Sequence, residues 1–332
     1  MASVVTLVPG DVLVFRSDGS HVDRIITILT NSDVAHSALL YQNDVLVDAA
    51  SGCGIAAHTM RVMPSGPTAP AGATPLSRGT WIERDIYVRR LNRLPVPQDV
   101  FDAARAYANQ NNGFNYMGLI AVGLHLLLRM DLPLGKVAEL LVELLGMLTG
   151  ELEKLMRPRP GSGTKGPHPM FCSQFVYQCF MDGGRELEMS SGSQRFVPSP
   201  ALLDRIAASS VTDAILNGKA GPPPRLRHRS ADEIAADLLA ALSSDVAPTA
   251  TSAVRATHGP GRDLIWATLE FGRALQQVQG VSGSMDLRRG LGFLGELRKS
   301  YVTPADLCYN CTNLAGTQEV LGIQLKEASY PI

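Results

Sequence analysis

A chain of 332 residues exceeds ordinary single-domain size, so a core domain carrying appended or inserted material is expected. Thirty basic against thirty-one acidic residues give a net charge of -1, and aromatics make up 6%, which excludes the basic, stacking-rich surface of a nucleic-acid-binding protein. Five cysteines (Cys53, Cys172, Cys179, Cys308, Cys311) form an odd set without framework spacing, pointing to a reducing compartment or to one reactive thiol.

The first nine residues lack the basic and apolar regions of an export signal. The expectation is a cytoplasmic protein, or one delivered by a route that needs no signal peptide. Pro9-Gly10-Asp11 reads as a turn feeding a buried strand, Val12-Leu13-Val14-Phe15. A helix-like run covers 21–29. The strand from Val34 to Tyr41 carries His36, and Val45 to Ala50 forms a second strand across Gln42-Asn43-Asp44, so a β-hairpin is predicted. A Gly, Pro and Ser-rich surface loop over 64–79 leads to a strand at Ile86-Tyr87-Val88. Pro97 then precedes a helix with Val100, Ala103, Ala104 and Tyr107 on one face, ended by Asn111-Asn112-Gly113.

Residues 117–156 become apolar in a helical pattern. The stretch 117–128 is too short to span a bilayer and is interrupted by His125, so no transmembrane segment is expected. Val137, Leu141, Leu144, Leu148, Leu152 and Leu155 then recur at helical spacing. The opposite face carries Glu139, Glu143, Glu151 and Glu153 with Lys136 and Lys154, the wrong charge for anionic lipid. This favours a packed helical insertion over a lid that greets an apolar substrate.

A Gly/Pro-rich linker covers 158–169, and its Gly161-Ser162-Gly163-Thr164-Lys165-Gly166 lacks the order of a P-loop. Beyond Ala201 the chain reads as helical. Ser230 and Glu233 form a capping box before Ile234, Leu238 and Leu242, and further helices cover 264–278 and 287–297. The domain reading is a catalytic domain over 1–205, with a helical insertion at about 117–169, and a helical extension over 206–332 suited to docking a partner protein.

Cys172 opens a helix with an apolar stripe of Phe175, Val176, Cys179 and Phe180, closed by Gly183-Gly184. A first-turn position lies in the positive end of the helix macrodipole, which favours an anion there, and backbone N–H groups are free to hold an oxyanion. A buried structural cysteine is the plainer alternative. His36 by itself would read as a core histidine, but Asp48 follows twelve positions later on the paired strand, where a carboxylate can hold an imidazole N–H. Parity decides this. A regular two-residue turn at Asn43-Asp44 puts Asp48 on the opposite face from His36, whereas a three-residue turn or a bulge sets Ala38 opposite Asp48 and brings it to the histidine's face. Cys53, on a loop, is a weaker nucleophile candidate, and His58 and His168 are rival bases near loops. Cys179 lies two turns from Cys172, too far for a disulfide, and Cys308 with Cys311 makes only half a zinc site.

Several of these features occur together in order: Pro9-Gly10-Asp11 before a strand, the His36 strand, a polar residue twelve on, Asn115-Tyr116-Met117-Gly118 after a helix, and Phe171-Cys172-Ser173-Gln174-Phe175-Val176 opening a helix. Over about residues 6–203 this pattern resembles the circularly permuted papain-like hydrolases of the NlpC superfamily, including YiiX-type proteins and relatives of lecithin:retinol acyltransferase. Histidine before cysteine reverses papain's order, as permutation implies. The resemblance implies an α+β fold with an antiparallel sheet packed on the cysteine-bearing helix. It also implies Cys172 as nucleophile, His36 as general base and then acid, and Asp48 as the orienting residue where relatives often carry Glu, Gln or His. The implied activity is a cysteine hydrolase or acyltransferase working through an acyl-enzyme, without metal or organic cofactor. Its substrate is a peptide or peptidoglycan-type amide, with a lipid ester or acyl transfer as the alternative. A reading of another class is a binding or scaffold module that keeps the fold without the chemistry.

Overall fold

The computed structural model describes residues 6–50, 54–63, 81–93, 95–109, 117–130, 136–156, 170–190, 201–221, 229–245, 261–278, 286–316 and 320–327. The chain divides into two units. One comprises Met1–Gly118, Met170–Gln194 and Val302–Ile332; the other comprises Leu119–Pro169 and Arg195–Tyr301.

Period-two side-chain alternation builds the first unit. Strands β1 (Val12–Arg16), β2 (Val34–Gln42), β3 (Val45–Ala50), β4 (Gly54–Val62), β5 (Trp81–Leu91), β6 (Leu314–Gly316) and β7 (Leu321–Glu327) form an antiparallel sheet in the order β1-β2-β3-β4-β7-β5-β6. Because β1 also pairs with β5, six of them close into a barrel. Leu13, Phe15, Ala38, Leu40, Leu46, Met60, Ile86, Val88 and Ile323 form its apolar interior, at least one from each of the six strands. The strand before the hairpin starts where the sequence places the turn. Gly10 has φ of +94°, and a Cβ there would lie 2.4 Å from Val96 Cγ2. The buried Asp11 carboxylate accepts a fork of bonds from Arg90, Nε at 2.6 Å and Nη2 at 2.7 Å, as well as the Val8 N–H at 2.9 Å.

Helices α1 (His21–Thr30) and α5 (Cys172–Asp182) pack on β2, and α5 also lies along β3. Helix α2 (Gln98–Asn109) covers α5 and β4. Gly183, at the end of α5, is required by close approach, since a Cβ would meet the Val100 backbone nitrogen at 2.7 Å.

The second unit is helical: α3 (Met117–Arg129, from Leu119 on), α4 (Lys136–Met156), α6 (Leu202–Ala207), α7 (Ser210–Leu216), α8 (Ala231–Asp245), α9 (Arg262–Val278) and α10 (Leu287–Ser300). Helix α4 packs on α8 and α9, and α9 packs on α10. The capping box forms, with the Ser230 N–H donating to Glu233 Oε2 at 2.8 Å and the Glu233 N–H to Ser230 Oγ at 3.3 Å. Helix α3 is buried on nearly every side, and Gly123 sits against Leu144, Leu145 and Leu148 of α4.

This division differs from 1–205 and 206–332. The insertion and the C-terminal helices make one unit because they complete each other: the stripe of α4 packs on α8 and α9, and Glu143 and Glu153 of its acidic face pair with arginines. Arg229 bridges Glu143 at 2.9 Å and Asp237 at 2.7 Å, and Arg273 reaches Glu153 at 2.8 Å. Nor is the chain helical to its end. Leu321, Ile323 and Leu325 turn into the barrel while Gly322, Gln324 and Lys326 alternate with them, so β7 inserts between β4 and β5.

Helices α9 and α10 cross at glycine. A Cβ on Gly290 would lie 2.4 Å from the Arg273 backbone nitrogen, whereas one on Gly295 meets nothing within 4 Å. Gly290→Ala is therefore expected to destabilise the helical unit by about 1–3 kcal/mol or more. Gly295→Ala should stabilise it by roughly 0.5–1 kcal/mol, following helix propensity. Urea denaturation read from Trp266 of α9, in a Trp81→Phe background, checks both signs.

Candidate active site

The hairpin carrying His36 and Asp48 contains one extra residue. Gln42 pairs with Val45 around the two-residue Asn43-Asp44 turn, but Leu40 then pairs with Leu46 and Ala38 with Asp48. Tyr41 is the unpaired residue of a β-bulge. It is anchored by α2, where Arg105 donates to its hydroxyl from Nη2 at 2.5 Å and Nε at 3.0 Å, and Phe101 meets its ring edge-on at 5.8 Å. The bulge turns Asp48 to the inner face, diagonal to His36, and its Oδ2 lies 2.7 Å from His36 Nε2. From β4, where Ala56 pairs with Asp48, His58 approaches along the other diagonal and places Nε2 3.0 Å from Asp48 Oδ1. Phe15, opposite His36 on β1, presents its ring to the imidazole at 5.3 Å.

Cys172 is the first residue of α5. The preceding Phe171 offers no side-chain cap, so the helix begins with backbone donors that no capping side chain occupies. Ser173 Oγ donates to the Val302 carbonyl at 2.7 Å, and the buried stripe of Phe175, Val176, Cys179 and Phe180 holds the helix on β2 and β3. This brings the thiol close enough to His36 for the two groups to interact. Since Asp48 engages Nε2, Nδ1 is the nitrogen left for the thiol.

The electrostatics follow from this arrangement. Burial works against the His36 imidazolium, but Cys172 and the Asp48 carboxylate outweigh it and raise the histidine well above its ordinary value. Burial would likewise raise Asp48, yet His58 and His36 together hold its carboxyl far below the usual range. On α1, burial and the neighbouring Asp18 carboxylate push Asp23 up to about 6, against the pull of the Asp18 N–H and of His36. Asp18 is itself bound by the Ser20 N–H at 2.8 Å and by Arg84 at 2.8 Å.

Cys172, His36 and Asp48 are thus in contact in one unit. His58, read from sequence as a rival base near a loop, instead lies on β4 and binds Asp48. Sequence reasoning missed β4, although Ile55 and Ala57 alternate with His58 and Met60, and it did not single out Asp23. Cys53 and His168 lie outside the described residues. Cys179, Cys308 and Cys311 are buried free thiols, and burial pushes the first well up and the other two up to about 11. Among the described residues, no group of three or more His, Cys, Asp or Glu side chains is arranged to hold a metal ion, and no helix is long and apolar enough to cross a membrane.

Compared with protein-family models, curated proteins and solved structures, the chain has no significant match.

A carboxyl held below its unfolded value of about 3.9 contributes stability that is present above that pH and is lost as pH falls through the folded value. A histidine raised above its unfolded value of about 6.5 contributes stability that is present below that pH and is lost as pH rises through the folded value. Asp48→Asn should therefore cost about 2–3 kcal/mol between roughly pH 5 and 7. The difference from wild type should shrink below about pH 4, and again as pH rises past the raised His36 value. Urea denaturation across this range, read from Trp81 of β5 in a Trp266→Phe background, measures it.

Proposed function

We propose that this chain is a cysteine-dependent acyl hydrolase on a permuted papain-like core of the NlpC type, cleaving an amide carbonyl of the peptide or peptidoglycan kind. The observation that carries the reading is the contact chain from Cys172 to His36 to Asp48, with the thiol at the first residue of a helix. His36 Nδ1 takes the thiol proton while Nε2–H stays on Asp48, and the Cys172 sulfur forms a bond to the carbonyl carbon. Backbone N–H groups at the start of α5 are placed to hold the oxyanion. Collapse breaks the C–N bond, and His36 returns the proton to the departing amine. Water, giving its proton to His36, then breaks the thioester and releases the acid with the free thiol.

The same chemistry on a lipid ester, or transfer to a second acceptor, is the alternative. Its sequence basis was an apolar segment free to act as a lid. Leu124, Leu126, Leu127 and Leu128 of α3 and Leu141, Leu144 and Leu148 of α4 are all fully or nearly fully buried, which favours the amide reading.

Peptide amides and phospholipid vesicles, each incubated with the full chain, separate the two. Release of an amine from the peptide panel is expected, with kcat/KM lowered at least about 10³-fold in Cys172→Ala and about 10²–10⁴-fold in His36→Ala. Release of fatty acid from vesicles alone would transfer the activity to lipid. No turnover of either, with no acyl adduct on Cys172 by intact-protein mass, would leave a scaffold.

A further inference from the structure

We infer that His58 is a positioning residue of this site, holding the Asp48 carboxylate ionised and aimed at His36 from the far side. The inference rests on the reading of Cys172 and His36 as nucleophile and base, and extends the arrangement to a fourth residue on a third strand.

The geometry distinguishes His58 from a histidine that merely fills space. Asp48 is nearly buried, at 5% exposure, and each of its oxygens meets one imidazole Nε2: His36 at 2.7 Å on Oδ2 and His58 at 3.0 Å on Oδ1. A carboxylate bound through one oxygen can swing about its side-chain torsions. Gripped at both oxygens by donors from β2 and β4, it has one orientation, and Oδ2 then fixes the His36 tautomer that leaves Nδ1 for the thiol. The second grip also lowers the cost of keeping a charge out of water, because a buried carboxylate with one oxygen unsatisfied takes up a proton instead. The groups that bear on this balance are His36 from β2 and His58 from β4 on Asp48, and Cys172 from α5 and Asp23 from α1 on His36. With His58 removed, Asp48 is neutralised at higher pH. A neutral Asp48 no longer supports the His36 imidazolium beside Cys172.

The test uses the alkylation rate of Cys172 by iodoacetamide in the full chain, followed by peptide mass spectrometry from about pH 4 to pH 8, and so needs no substrate. In the wild type, Cys172 should react ahead of Cys179, Cys308 and Cys311 at mildly acid pH, and His36→Ala should abolish that advantage. His58→Asn, whose amide falls short of Asp48, should move the acid limb of the profile up by about one pH unit, a roughly tenfold slower reaction near pH 5. The gap should narrow as pH rises. His58→Gln, whose Nε2 amide reaches the position of the imidazole nitrogen, should restore most of the loss. Profiles of both variants that superimpose on wild type, or that fall by one factor at every pH, overturn the role of His58 while leaving the nucleophile reading intact. A wild-type profile without the His36-dependent advantage overturns the nucleophile reading itself, and the two failures are distinct.

Discussion

A carboxylate taken almost wholly out of water must be matched by donors on both oxygens or give up its charge, and the Asp48 site is organised around that requirement. Two imidazoles meet it, one from each neighbouring strand. His36 can do so only because the β2–β3 ladder has slipped by one residue at Tyr41, which turns Asp48 to the histidine's face, whereas His58 meets Asp48 through the regular β3–β4 register. The slip is in turn held from outside, where α2 binds the Tyr41 hydroxyl through Arg105. A surface ion and an aromatic side chain on one face of the sheet thereby set which side chains meet on the other.

Closure of the barrel supplies the second constraint. The thiol reaches His36 because α5 lies along β2 and β3, and α5 sits there because its apolar stripe matches the outer face of those strands and because Gly183 lets its far end touch the α2 backbone. The strand that completes the ring, β7, comes from the last residues described. Segments distant in sequence therefore converge in both units, and the chain leaves and re-enters the barrel unit around helices that form their own core.

Much of this was legible along the chain. The turn at Gly10, the α1 and α2 helices, the stripe of α4, the reciprocal cap at Ser230 and Glu233, and the helix opening on Cys172 all depend on local spacing, which sequence carries directly. What was not legible depends on partners elsewhere. Leu321, Ile323 and Leu325 alternate as a strand should, but a short alternating run after long helices has meaning only once β4 and β5 offer it two edges. His58 looked like a loop histidine because β4 opens with Gly54 and carries Ala56 and Ala57 just before it, and follows Ser51-Gly52-Cys53 in sequence, so its strand character comes largely from pairing with β3 and β7.

By itself the sequence determined the chemistry on offer: a thiol at the start of a helix, a histidine on an apolar strand and a carboxylate twelve residues later. It also posed the parity question at the Asn43-Asp44 turn in a form with two definite answers. Only the tertiary structure chose between them, because a bulge is decided by what holds the extra residue, and Tyr41 is held by a helix 64 positions away in the chain. The same reason applies to the division into units and to the second imidazole on Asp48. Local propensity specifies elements, whereas register, closure and the pairing of buried charge depend on contacts that exist only when the elements have met.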